Sequence, residues 1–254
     1  MMSSFKHLWF RPLTGLVLVL AGWQVLACSG LVRSFFLPPV TSVVRALAER
    51  LSSGELLIAI GTTIWRFALA MGLGTAFGVP VGIAFGRVRA LYDTFIFWIE
   101  FLRALPVTAL FPLFIAFFGT GTLPLLLAAS LSSLLIMFVN TVEAVGNIPI
   151  ELERLAKLVR LPLYRKWLGV HVPSMLPQLS QGIRNNISVT FIVVIVSEML
   201  MGLSTGLGYS IYDSSLSFRL DVTYAFVLTT GFLGWVLNST YLAVAHRAIH
   251  WRGR

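Results

Sequence analysis

Six stretches of this chain are apolar over nearly the length that a helix needs to cross a bilayer. They run from about Leu13 to Cys28, Leu57 to Gly86, Leu91 to Phe118, Leu123 to Val139, Ile187 to Leu203 and Tyr224 to Val244. Roughly 20 helical residues span the hydrocarbon layer, and without water there every backbone amide must find its partner inside the segment. The runs do not alternate with period two, as the strands of a membrane barrel would. The pattern predicts an all-α membrane protein with about six transmembrane helices. Composition agrees: 11% of the 254 residues are charged and 57% hydrophobic, against about 25% charged in soluble domains. No change in composition marks a boundary, so residues 1–254 read as a single domain.

The first run closes on Ala27-Cys28-Ser29-Gly30, which mimics the small-residue end of a secretory signal. Because the rest of the chain is membrane-embedded too, an uncleaved helix at about 13–28 is expected. Cys28 is the only cysteine, which excludes an intrachain disulfide and a cysteine metal cage, and it reads as a small buried hydrophobe.

A net charge of +9 would suit a nucleic-acid binder, but the basic residues are scattered between apolar runs and form no stripe. They sort by side instead. With the N-terminus inside, Lys6, Arg11, Arg87, Arg89, Arg154, Lys157, Arg160, Arg165, Lys166, Arg184, Arg247, Arg252 and Arg254 fall on the cytoplasmic face. Arg33, Arg45, Arg50 and Arg219 fall outside, and Arg66 and Arg103 lie within spans. That bias puts both termini in the cytoplasm.

Three connections stand out. In residues 29–56, Leu37-Pro38-Pro39 leads through Thr41-Ser42, a plausible cap, into a short amphipathic helix from Val43 to Leu51 on the membrane surface. Residues 204–222 mix Gly, Ser, Tyr and Asp outside. Residues 141–184 form a long basic inner loop, in which Glu151 to Val159 reads as a helix with acids first and bases later, as the helix dipole favours. Pro162 ends that helix, and Pro173 and Pro177 break the stretch after it. Such an element suits docking of a soluble partner, or rests on the headgroups as an ordinary amphipathic loop.

The order of several motifs resembles the inner-membrane permeases of binding-protein-dependent ABC importers, with a MetI-like fold, in their nitrate, sulfonate, taurine and bicarbonate branch. Val172-Pro173 and Leu176-Pro177 match the end of that family's coupling-loop pattern. Ala156 matches one of its alanines, whereas Arg154 and Arg160 stand where Glu and Gly are expected. Leu37-Pro38-Pro39-Val40-Thr41-Ser42-Val43, Arg103-Ala104-Leu105-Pro106, Leu110 to Ile115, Phe118-Gly119, Ser197-Glu198 and Gly206-Leu207-Gly208-Tyr209 extend the similarity from about Phe36 to Trp251. The resemblance implies a five-helix permease core at about 57–246 plus the N-terminal helix, in the bacterial inner membrane. It implies a second permease copy or paralogue, cytoplasmic ATP-binding subunits and an extracytoplasmic substrate-binding protein. It assigns ATPase coupling to Leu155, Ala156, Lys157, Leu158, Val159, Arg160, Leu161 and Pro162. The chain lacks a Gly-x-x-x-x-Gly-Lys-Ser/Thr phosphate loop, so ATP and Mg are expected on the partner and no cofactor on this chain. Small anions are the implied substrates, with heterocyclic nutrients as the alternative. Arg160 in place of Gly implies a remodelled turn and an altered ATPase contact, which fits a permease with a matching, unusual ATPase or the divergent half of a heterodimer.

Charges inside spans are costly and point to a pathway. Glu100, Arg103, Asn140, Glu143, Asn185, Asn186 and Glu198 interrupt or border the runs. Arg103 and Glu198 fall at similar depth and, with Asn140 and the helix-bending Pro106, are the candidate translocation residues. The alternative is that Arg103 pairs with Glu100 one turn away. Gly74, Gly78, Gly82 and Gly86 form a stripe for close helix packing, within the chain or between subunits. His246 and His250 are spaced for a metal but lack a third ligand, and read as helix-end residues. No catalytic cluster is visible, so an integral-membrane enzyme is disfavoured. A permease-like scaffold without transport remains compatible with the degenerate coupling loop.

Overall fold

The computed structural model describes residues 4–248. The helices are α1 (Ser4–Cys28), α2 (Val40–Ser52), α3 (Glu55–Arg87), α4 (Arg89–Ala104), α5 (Phe111–Phe118), α6 (Thr122–Gly146), α7 (Ile150–Leu158), α8 (Leu163–Lys166), α9 (Val172–Leu200), α10 (Leu207–Leu216) and α11 (Leu220–Ala248). No strand occurs among the described residues. Arg252, Arg254, His250 and Trp251 lie outside them.

Helices α3, α6, α9 and α11 are long and apolar enough to cross a membrane, and counting α4 with α5, a pair bent by 83°, as one broken span gives a fifth. The apolar part of α1, Thr14–Cys28, is shorter than these, so length and apolarity give four or five spans among the described residues where the sequence pattern predicts six. The third apolar run is thus broken and not continuous. Pro106 offers no N–H, and the residue before a proline is pushed from helical to extended backbone. Leu105 takes φ −73°, ψ 122° accordingly.

The expected inner loop at 141–184 is mostly helix. α6 continues to Gly146, and α9 starts at Val172, well before Ile187. Pro173 sits in the first turn of α9, where a missing N–H costs nothing, and Pro177 is carried inside the helix. Arg184, assigned above to the loop, lies well within α9. Residues 204–222 likewise hold a helix, α10, packed between α3, α9 and α11. Cys28 is exposed and not buried.

The amphipathic helix after the prolines is present as α2, with Val43 and Ala46 buried. It starts on Pro39, not on Thr41-Ser42. Its first N–H, on Val40, donates to Gln24 Oε1 of α1 at 2.8 Å, and Trp23 Nε1 donates to the Pro38 carbonyl at 3.1 Å. The polar pair that interrupts the first run therefore ties α1 to the start of α2.

The glycine stripe packs inside the chain. A side chain at Gly78 would meet the Leu134 carbonyl at 2.7 Å, and one at Gly82 would meet Thr141 Cβ at 2.6 Å. Gly74 and Gly86 face Ser133 and Val145 of α6 in the same way. The core continues through Phe67, Leu125, Ala128, Phe191, Val194, Leu207 and Phe226. Trp65, Phe77, Phe97, Trp98, Phe232 and Trp235 point outward and are exposed. In water so much exposed apolar surface would drive association; in a bilayer it faces acyl chains.

Candidate functional site

Three places among the described residues bear on the candidate site residues. The first is a cavity of about 360 Å³ at the break between α4 and α5. Arg103, Pro106, Thr108, Ser132, Asn140 and Asn185 contribute to its lining, and Arg103 is the one charged residue there among the described residues. The break places Arg103 in the last turn of α4, so its side chain leaves the helix beside the opening. Arg103 Nη1 donates to Glu100 Oε1 at 2.8 Å, and both side chains are about half exposed. An ion pair this wet contributes about 0–1 kcal/mol. Asn140 Nδ2 is engaged by the Ile136 carbonyl at 2.8 Å.

The structure brings Arg103, Pro106 and Asn140 to one cavity, but not Glu198. That carboxylate is 1% exposed and belongs to a second cluster. It accepts hydrogen bonds from Arg66 Nη1 at 2.8 Å, Thr63 Oγ1 at 2.9 Å and the Gly208 N–H at 3.0 Å. Arg66 Nη1 also reaches the Thr205 carbonyl at 2.6 Å. The Leu207 N–H donates to Thr63 Oγ1 at 2.9 Å. Helix α10 begins at Gly206 without a side-chain cap of its own, and Glu198 with Thr63 satisfies its first free N–H groups. A side chain at Gly206 or Gly208 would collide with Glu198. Sequence reading missed the partner, Arg66; the available signal was that two lone charges in separate apolar runs each need a counter-charge.

The third place is α7. Glu151 and Glu153 open the helix and Lys157 closes it. Ala156 is its buried residue, whereas Leu155, Leu158 and Val159 are more than half exposed. The turn expected to be remodelled by Arg160 is intact. Arg160 takes φ 51°, its N–H bonds the Lys157 carbonyl at 3.1 Å, and the Leu161 N–H bonds the Ala156 carbonyl at 3.0 Å. These are the two bonds of a Schellman helix end, with Arg160 in the left-handed position that glycine usually fills. Of the other named coupling residues, Leu161 comes just after this turn and Pro162 precedes α8.

Lys166 Nζ donates to Glu153 Oε2 at 2.7 Å, and His171 Nε2 lies 3.2 Å from Glu153 Oε1 at an angle short of a hydrogen bond. The Lys166 hydrogen bond is the largest influence on Glu153 and holds its carboxyl below the ordinary range, with attraction from His171 and Lys157 adding to it. His246 lies in the last turn of α11, and no group of three metal-ligating side chains occurs among the described residues.

Residues 74–249 match the family described as binding-protein-dependent transport system inner membrane component. The chain is 27% identical over 250 residues to the protein of Bacillus subtilis named for aliphatic sulfonates transport permease SsuC, covering 97% of this chain and 89% of that one. It is 25% identical to the taurine transport system permease protein TauC of Escherichia coli, over 94% of this chain and 88% of TauC. The nitrate import permease protein NrtB of Leptolyngbya laminosa is 24% identical over 72% of this chain and 64% of its own length.

Proposed function

The chain belongs to the binding-protein-dependent transport system inner membrane component family, and from that membership we propose that it forms, with a second permease chain, the pathway of an ABC importer driven by a cytoplasmic ATPase on α7. A copy of this chain or a paralogue supplies the second half. The excess of Lys and Arg at the α7 end supports both termini in the cytoplasm, with the inner membrane as the location. An extracytoplasmic binding protein delivers the substrate to the opposite face.

The observation that carries the reading is the face of α7. Leu158, the last residue of this nine-residue helix, and Val159 just after it are 78% and 69% exposed, beside Arg154, Lys157 and Arg160. A short apolar face with a basic rim, joined to the spans by tight turns, suits a rigid contact with a soluble subunit. Changing Leu155 and Leu158 together to Asp should leave the permease in the membrane and strip it of ATPase during purification. Undiminished ATPase in the purified complex would contradict the reading.

For the substrate, the one charged residue lining the cavity is a guanidinium, amid amides and hydroxyls. This supports a small anion such as nitrate, a sulfonate, taurine or bicarbonate. Arg presents a fork of donors that matches planar and tetrahedral oxyanions. Calorimetry of the partner binding protein against these four should give tight binding to at least one. Binding confined to uncharged heterocycles would reject the anion.

A further inference from the structure

The base of α9 contains a π turn, Trp167–His171, in which the Val172 N–H reaches back five residues to the Trp167 carbonyl. Five positions apart on an α-helix, Lys166 and His171 would point about 140° away from each other. The i→i+5 turn instead brings both to one side, and both meet the carboxylate of Glu153 on α7. Glu153 lies one turn before Ala156, the buried residue of α7, so the carboxylate and the packed methyl share the inward face. His171 is 4% exposed, and its ring lies tilted by 60° against Trp167 with the centroids 4.7 Å apart. The guanidinium of Arg87, at the end of α3, lies over the Trp167 ring 4.0 Å from its centroid.

From this arrangement we propose that Glu153 is a positioning residue: it latches α7 to the π turn, so that a displacement of α7 moves the bases of α9 and α3 as one body. The outward face of α7 is left free for the partner. Without Glu153, Ala156 and the two flanking turns hold α7, and its motion dissipates in the turn at Val159–Pro162. The π turn is suited to receive the push, because its widened backbone can convert to an ordinary helical turn by a shift of one residue.

The proposal rests on the coupling role given to α7 above, and the test separates the two. Hydrogen exchange is measured in the complete complex with its ATPase in nanodiscs, nucleotide-free and trapped with Mg-ATP and vanadate. In the wild type, trapping should change exchange both in residues 150–158 and in 172–200. In Glu153→Gln, and equally in Lys166→Met, the change should persist in 150–158 and disappear from 172–200. The charge-reversed pair E153K/K166E should restore it, and the response kept in 150–158 by the single variants separates the latch from a role in folding alone. A full response of 172–200 in both single variants would overturn the latch and leave the docking of α7 standing. A wild-type complex in which trapping alters neither segment would overturn the coupling role and the latch with it.

Discussion

Glu198 and Arg103 are both charges within apolar runs, and their surroundings set opposite expectations for their loss. Glu198 is sealed among Arg66, Thr63 and the start of α10. Arg66→Met strands that carboxylate, and breaking one partner out of a buried pair costs about 3–5 kcal/mol. The yield of folded, membrane-inserted protein should collapse. Arg103 sits in an open pair, so Arg103→Gln should leave the assembled complex at wild-type yield while uptake falls, if the guanidinium serves the pathway. Normal uptake by the Glu100→Gln/Arg103→Gln double variant would reduce Arg103 to a surface ion pair. Arg160 carries a third expectation. A non-glycine residue in the left-handed region costs about 1–2 kcal/mol, so Arg160→Gly should raise the thermal stability of the α7 end, by about 1 kcal/mol after glycine's own entropy loss. The sequence pattern marked Arg160 as standing where a glycine is expected. It could not show that the backbone keeps the glycine geometry regardless, because φ is decided by the helix end and its two hydrogen bonds.

Among the elements, the glycine face of α3 gives the sharpest contrast. Gly82→Ala drives a methyl against Thr141 and the Phe138 carbonyl, an overpacking worth about 1–3 kcal/mol. Gly72, with nothing within 4 Å, should accept Ala without loss, and thermal unfolding of the two variants compares them directly. Helix α7 offers a pH test. The carboxyl of Glu153 is depressed when folded, so its contribution is present above the ordinary carboxylate pKa of about 4.3 and vanishes as pH falls through the lower folded value. The stability gap between wild type and Glu153→Gln should be level near neutrality and close on that acid side. The elements differed in how legible they were. The long runs announced themselves because lipid leaves a helix no alternative, and α7 because its charges match the dipole. α10 was hidden: its Gly, Ser, Tyr and Asp look like loop, and its helix is capped by side chains from α9 and α3, the farther of them 144 residues away in sequence. The extent of α9 was hidden too, since Pro173 reads as a breaker until it is placed in a first turn.

The whole molecule is a broken-span bundle with a cavity at the break, a buried ionic cluster holding α10, and a short amphipathic helix, α7, projecting at one end. Three of the four residues assigned to a pathway meet at the cavity because two of them flank the same proline-directed break and α6 passes beside it. The fourth does not, because similar depth along two helices says nothing about which way each side chain faces. The central claim is that α7 faces the cytoplasm and carries the ATPase. With Cys28 changed to Ser, a single cysteine at Leu158 should crosslink to the ATPase in native membranes, and one at Glu49 on α2, at the other end of the bundle, should not. Crosslinking from Glu49 with none from Leu158 would contradict both the topology and the coupling role.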